Sequence, residues 1–480
     1  MRAKTIGLIL FQERAMRPQR VPDRWEKRPM IQAPLLSILP LIVILVLLLP
    51  PFRFHFLFAG LIGGITAVII GGLNAGTVTK LVFDGMGQIL SIYSVMLFGA
   101  TAMVLARCGC TKAVMELIRG WFGDRLEYVA GAMVLVQAAA TYMAGIGAAN
   151  TLVTAPLVFA AVGFVPLAVV GMSIASGATW ATSPSSAESA YISKQMAMSV
   201  TDYASYMLPY TLTFWVIGIL LAWYGARRYR LAGKLQPGVP PGRAAQSLSA
   251  AVTAPVALPI DSATTPADEP QIGAGLSATR RALPFFIMLT LILVGPPINR
   301  AINIPLFSPV LVPLWVLTAT ALLLWANPNK LAEMFIEGGV TILRYIFAVA
   351  VFLGLINLLA EIGTFKAVAS MVNFAPIAFL TAAGLLVAFL IAIPSAAYTV
   401  GIDALIIPVL SALGVPVWAF GFVGIAVAQG AMMSPAQINV AATAHGFQTD
   451  ILSIVRNNAP YMPLAFVVTL VMATFVASGF

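Results

Sequence analysis

Two short polar stretches interrupt an otherwise apolar chain. They are Gly-Ile-Gly-Ala-Ala-Asn-Thr at 145–151 and Pro-Ser-Ala-Ala-Tyr-Thr-Val-Gly-Ile-Asp at 394–403. In the first, Gly145 and Gly147 break a helix, and Asn150 and Thr151 open the next apolar run. A helix starting there presents free backbone N–H groups at the positive end of its dipole, which attracts an anion. The carbonyls that end the preceding half-helix suit a cation such as Na+. The second stretch has the same plan, with Ser395 and Thr399 as polar members, Gly401 as the loosening residue and Asp403 as a carboxylate among apolar neighbours. A carboxylate there is costly unless paired, so cation binding or proton carriage is one reading of Asp403. A cap on the returning helix is the other.

Each stretch is followed by an apolar segment broken at a Ser-Pro element, Ser-Pro-Ser-Ser-Ala at 183–187 and Ser-Pro-Ala-Gln-Ile at 434–438. Proline inside a span removes a hydrogen bond and bends the helix. Ser183, Ser185, Ser186, Ser434, Gln437 and Asn439 stand ready to refill the freed backbone groups or to meet a substrate. For most single serines, backbone repair is the plainer reading. Lys194 and His445 follow at matching distances, where a boundary position is the simpler assignment. Cys108 and Cys110 are the only cysteines and His55 and His445 the only histidines, so no zinc or disulfide framework is expected, and no metal beyond Na+. The Cys-Gly-Cys reads as unreactive thiols at a membrane boundary.

Elements of a particular kind must position these residues. The chain has 480 residues, 60% of them hydrophobic and 9% charged, against roughly 25% charged in an ordinary soluble domain. There is too little polar surface to cover a water-facing globule, so the chain is expected to be an integral, multi-pass membrane protein whose spans are helices. The net charge of +10 then belongs to cytoplasmic loops and not to nucleic-acid binding. Apolar runs fall at 34–50, 54–74, 86–106, 126–144, 166–182 and 205–226, and again at 282–296, 306–326, 338–361, 374–393, 416–432 and 460–478.

The two series repeat each other. The Leu-Leu-Leu-Pro-Pro at 47 answers Leu-Val-Gly-Pro-Pro at 293, Phe-Asp-Gly at 83 answers Ile-Glu-Gly at 336, and Leu-Ala-Arg-Cys-Gly at 105 answers Leu-Ala-Glu-Ile-Gly at 359. The Ser-Pro elements and Leu-Pro-Tyr at 208 against Ala-Pro-Tyr at 459 complete a series with offsets of 246, 253, 254, 251 and 251. Matches in one order at one interval mark an internal duplication, as in secondary transporters. The expected organisation is a basic tail at 1–33, a first transmembrane repeat at 34–228, a disordered cytoplasmic linker at 229–281 rich in Pro, Ala, Gly and Ser, and a second repeat at 282–480.

If 126–164 and 374–413 are re-entrant hairpins, each half crosses five times and the halves are inverted. Fourteen Lys and Arg then fall on one side (Arg53, Arg107, Lys112, Arg119, Arg125, the seven from Arg227 to Arg281, Lys330 and Arg456) and three on the other, Lys80, Arg300 and Lys366. The first side is therefore cytoplasmic. The tail carries eight more basic residues and lands outside, which motivates the hypothesis that translation starts at Met30. N-terminal peptide mapping tests it, and peptides from before Met30 would refute it. No small-residue cleavage site follows the first apolar run, so a removed signal peptide is not expected.

At these residues the chain resembles the ion transporter superfamily, and within it the divalent anion:sodium symporters of the C4-dicarboxylate type. The resemblance rests on the amphipathic Gly-Cys-Thr-Lys-Ala-Val-Met-Glu-Leu-Ile-Arg-Gly-Trp-Phe-Gly-Asp-Arg from 109, on the Ala-Ala-Asn-Thr-Leu-Val-Thr-Ala-Pro tip from 148, and on the paired Ser-Pro breaks. It implies a scaffold domain from the first three helices of each half, and a transport domain from the hairpins and broken helices that moves as an elevator in a homodimer. It implies a membrane of the bacterial inner or plasma type. It also implies that Asn150 and Thr151 take the last two places of a Ser-Asn-Thr motif, with Ala149 where the serine would stand; the second half lacks the motif.

The expectation is thus an all-α polytopic membrane protein of two inverted repeats that carries a small organic anion, a carboxylate or dicarboxylate, coupled to Na+ or H+. A cation/proton antiporter using Asp403 is the alternative within the same fold. An intramembrane enzyme is remote, since the sequence has no His-Glu-x-x-His and no Gly-x-Ser-x-Gly. No cofactor is expected, and the lipid bilayer and the anion are the expected partners.

Overall fold

Backbone polar groups in an apolar setting must find partners within the chain, and this chain satisfies them with helices. The computed structural model describes residues 34–48, 52, 54, 56–90, 93–123, 125–145, 147–233, 272–273, 275–304, 306–308, 310–372, 376–395, 399–435 and 437–477. Among the described residues there are 20 α-helices, one 3-10 turn and no strand. The basic tail with Met30, and linker residues 234–271, lie outside them.

The helices of the first half are α1 (Pro34–Leu48), α2 (Phe56–Gly71), α3 (Ala75–Leu90), α4 (Tyr93–Arg107), α5 (Cys110–Phe122), α6 (Leu126–Ala144), α7 (Gly147–Val162), α8 (Pro166–Thr182), α9 (Ala187–Gln195) and α10 (Val200–Leu231). After the linker come α11 (Ala278–Ile302), α12 (Leu311–Leu324), α13 (Pro328–Glu361), α14 (Thr364–Val372), α15 (Ile377–Ser395) and α16 (Thr399–Ala412). A 3-10 turn at Val417–Ala419 leads into α17 (Phe420–Ala431), followed by α18 (Ile438–Gly446), α19 (Ile451–Asn458) and α20 (Met462–Ala477).

The second series follows the first almost helix for helix, with α3 and α4 joined into α13 and α10 split into α19 and α20. The turns keep the same interval. Left-handed residues at Gly72, Gly109, Gly163 and Ala197 reappear at Trp325, Gly363, Gly414 and Gln448. Packing repeats as well. Helix α7 lies on α18, and α16 lies on α9; α6 lies on α7, and α15 on α16.

Two contacts between the halves are antiparallel. Along the contact of α8 with α17, Gly424 lies against Ala181, Gly177 against Ala428 and Met432, and Asn458 donates to both Ser173 and the Met432 carbonyl. One numbering rises as the other falls. The same holds where α3 and α4 meet α13. Asn357 donates to the Leu81 carbonyl at 3.2 Å, Gly338 lies against Ala100, and Arg107 pairs with Glu337.

Ion pairs join several helices. Arg230 at the end of α10 pairs with Glu127 at the start of α6 at 3.0 Å, and Arg281 at the start of α11 pairs with Glu116 of α5 at 2.6 Å. Arg107 at the end of α4 pairs with Glu337 of α13. The basic end of α10, Arg228 and Arg230, also complements its dipole.

The interior and the rim differ in what they expose. Every residue from Ala168 to Thr182 in α8 and from Phe420 to Ala431 in α17 is buried. Helix α10 instead exposes Leu212, Val216, Leu220 and Tyr224, and α20 exposes Leu464, Val467, Val471 and Phe475. These fall at i, i+4 or i+3 spacing, so each forms one apolar stripe. Large apolar stripes facing outward suit hydrocarbon and not water.

Among the described residues three helices, Leu126–Ala144, Val200–Leu231 and Ala278–Asn299, are long and apolar enough to cross a membrane, and five if the pairs bent by 58° at Gly109 and by 46° before Met462 each count as one. Eight other apolar helices, of 10–17 residues, are shorter. This is fewer full-length crossings than the twelve apolar runs foretell. Asp84, Glu333 and Glu337 leave α3 and α13 apolar over only part of their length. What results is an all-α membrane protein with a surrounded interior and an apolar rim.

Candidate functional site

Helix α6 ends at Gly145, whose φ of 68° is left-handed and whose N–H caps back onto the Thr141 carbonyl. The chain then reverses into α7. Gln137 of α6 is wholly buried and donates to the Thr151 hydroxyl at 2.7 Å, while its carbonyl oxygen accepts from Thr154. Asn150 donates to the Ala140 carbonyl at 3.1 Å. These contacts hold α6 and α7 antiparallel and seal the tip. Its depth follows from α10, since Glu127 meets Arg230 and the Tyr142 ring meets Trp215 edge-on at 6.0 Å. Trp215 is halfway along the 32 residues of α10, about 24 Å from its basic end. The turn between α6 and α7 therefore lies level with the middle of α10.

The Ser-Pro loop after α8 closes over this tip. Ser183 donates to the Tyr142 carbonyl at 2.6 Å and Ser185 to the Met143 carbonyl at 2.7 Å. Those carbonyls end α6 and have no partner of their own within the helix. Ser186 caps α9, its hydroxyl accepting from the Ser189 N–H at 3.0 Å. A Cβ on Gly145 would collide with the Ser185 carbonyl. The serines thus repair backbone, the plainer of the two readings.

In the second half, Gln437 caps α18 by accepting from the Ile438 N–H at 2.7 Å, and Asn439 sits at the first hairpin, where a Cβ on Gly147 would lie 2.7 Å from its Oδ1. The start of α7 is thus open to the Asn439 amide because residue 147 has no side chain. Ser434 is buried and its N–H bonds to the Ala431 carbonyl at 2.9 Å. The Ser395 side chain and residues 396–398 lie outside the described residues. Gly401 lies against the ring of Phe352. Lys194 is exposed, as a boundary residue would be, and Cys108 and Cys110 are both free and buried.

Thr399 and Asp403 are one turn apart and share a face of α16. The Thr399 hydroxyl donates to Glu188 of α9, a residue 211 positions earlier. Glu188 is buried and its charge acts on Asp403. Asp403 is completely buried, and neither of its carboxyl oxygens has a hydrogen-bond partner among the described residues. Glu188 did not stand out in the sequence, where it reads as an acid in the first turn of a capped helix. Its interval from Asn439 is 251, the interval of the Ser-Pro elements, and that spacing was the available signal.

The two hairpins therefore differ in chemistry. The first meets an amide, Asn439, and is lined by Asn150, Thr151 and Gln137. The second meets a carboxylate, Glu188, and carries another, Asp403. No protein-family model matches the chain, and no curated protein matches it in sequence.

Proposed function

We propose that this protein is a secondary active transporter of a small organic anion, a carboxylate, coupled to Na+ or H+ and working by elevator-type alternating access. The observation that carries the reading is the opposed packing of matching helices, α8 on α17 and α3–α4 on α13, around two hairpins whose return arms each abut the broken helix of the other half. Two inverted repeats with binding groups at mid-depth between them are the architecture of alternating access. The neutral tip at Gly147, Asn150 and Asn439 offers N–H donors and amides to a carboxylate. The acid-lined tip at Asp403 offers a place for the driving cation. The resemblance to the divalent anion:sodium symporters supports the same reading.

A second reading, cation/proton antiport without an organic substrate, is favoured by one feature: the Asp403 carboxyl, buried with no hydrogen-bond partner among the described residues. Uptake into proteoliposomes separates the two. Organic acids are first screened by thermal shift with and without Na+, since a ligand at 100 times its Kd stabilises by about 2.7 kcal/mol. Acids that shift the melting curve are then tested for uptake under Na+ or pH gradients. Asn150→Ala should abolish that uptake while membrane expression persists. Cation-driven proton movement with no organic acid carried would favour antiport, and normal uptake by Asn150→Ala would reject the tip as the anion site.

A further inference from the structure

The ends of α6, α10, α11 and α12 meet around α5. Helix α5 leaves α4 at an angle of 58° and has two faces. Cys110, Val114 and Ile118 are buried, while Lys112, Glu116 and Arg119 share an exposed face at i, i+4 and i+7. Such a helix suits a membrane surface. Around it, printed side by side along the chain's contacts, arginines alternate with rings. Arg280 donates to the Leu323 carbonyl and lies 5.1 Å from the Trp325 ring centre, and its neighbour Arg281 holds Glu116. Phe122 at the end of α5 stacks on Tyr128 of α6, one turn from which Glu127 holds Arg230 of α10. Arg227 lies 5.3 Å from the Trp223 ring centre. Trp121 and Trp325 are 68% and 75% exposed, so these rings face outward. Over 112–128, 223–230 and 280–281 the sequence has eight Lys and Arg against three Asp and Glu. The excess of positive charge stands even with every acid of these segments paired.

We propose that this surface binds the headgroups of anionic phospholipids, with Arg119, Arg125, Arg227 and Arg228 meeting the phosphates. Helix α10 sets the depth. Leu212, Val216, Leu220 and Tyr224 form an exposed row at i+4 spacing, and the next member of that row is Arg228, also exposed. The apolar part of the row suits hydrocarbon, its tyrosine the interface, and an arginine one turn further, about 6 Å, the headgroup layer. That continuity, and the outward tryptophans, favour a lipid phosphate over a phosphate free in water. Clustered Lys and Arg beside a span attract anionic headgroups. The inference needs only the membrane setting of the protein and not its cargo. A bound lipid would touch α5, α6 and α10 together and so brace the start of the first hairpin.

The test follows thermal unfolding of purified full-length protein in neutral detergent. Phosphatidylglycerol, phosphatidylcholine or sodium phosphate is added at equal phosphorus concentration. Phosphatidylglycerol should raise the unfolding midpoint in a saturable way, and the other two should not. The combined variant Arg119→Gln, Arg125→Gln, Arg227→Gln and Arg228→Gln should need at least about tenfold more phosphatidylglycerol for the same rise. Lys80→Gln with Lys366→Gln removes exposed charge elsewhere and should respond as the wild type does. High salt screens exposed charges, so the wild-type response should shrink as NaCl is raised, a reading that needs no variant to fold. Equal shifts with the two lipids, a shift reproduced by sodium phosphate alone, a response untouched by salt, or an equal loss in the Lys80 and Lys366 variant would each overturn the proposal.

Discussion

Ser183 and Ser185 illustrate how far a residue's role depends on what it meets. From the sequence backbone repair is the plainer reading and substrate contact the other; in the fold their hydroxyls are donated to the last carbonyls of α6. Ser183→Ala and Ser185→Ala should each lower stability by about 1 kcal/mol, read as a lower midpoint of thermal unfolding in detergent. Transport by either variant should keep its KM for whichever acid is carried. A raised KM with unchanged unfolding would instead put these hydroxyls on the substrate. The asymmetry is instructive for legibility. Gly145, Asn150 and Asp403 announce themselves because polar or helix-breaking types in an apolar run are conspicuous. Glu188 does not, because an acid just after Ser186 and Ala187 is ordinary at a helix start, and its partner is reached only through the packing of α9 on α16. Gln137 is likewise one polar residue in an apolar run until Thr151 and Thr154 fold back onto it.

At the level of elements, the hairpin depends on a turn only glycine adopts cheaply. Gly145 has φ 68°, and a Cβ there would meet the Ser185 carbonyl. Gly145→Ala should destabilise by more than about 1 kcal/mol, since the native conformation does not accept the new residue. Limited proteolysis and thermal unfolding of the variant would check this, and a wild-type melting curve would mean that the tip relaxes freely. The hairpins were legible because apolar approach, break and apolar return are all present in sequence. Helix lengths were less so. The apolar run at 86–106 gives no sign that the chain bends just beyond it, at the left-handed Gly109. The bends of 58° and 46° follow from such breaks and from Pro460 before α20.

Across the whole molecule, the spacing of the sequence matches recurs in the spacing of the left-handed turns. Five sequence matches and four pairs of left-handed turns share one interval near 250 residues, although the second member of a turn pair is Trp325 or Gln448 where the first is Gly72 or Ala197. The direction of the halves was expected only from the distribution of Lys and Arg. Where α8 meets α17 the contact is antiparallel.

The most direct measurement compares the two equivalent exposed turns at Ala197 and Gln448. Ala197→Cys and Gln448→Cys are each made in a background lacking Cys108 and Cys110, and labelled in sealed, oriented membranes with an impermeant thiol reagent. Inverted repeats predict that the reagent reaches residue 197 from one side and residue 448 from the other. Labelling of both from the same side would contradict the inversion, and the alternating-access reading would go with it.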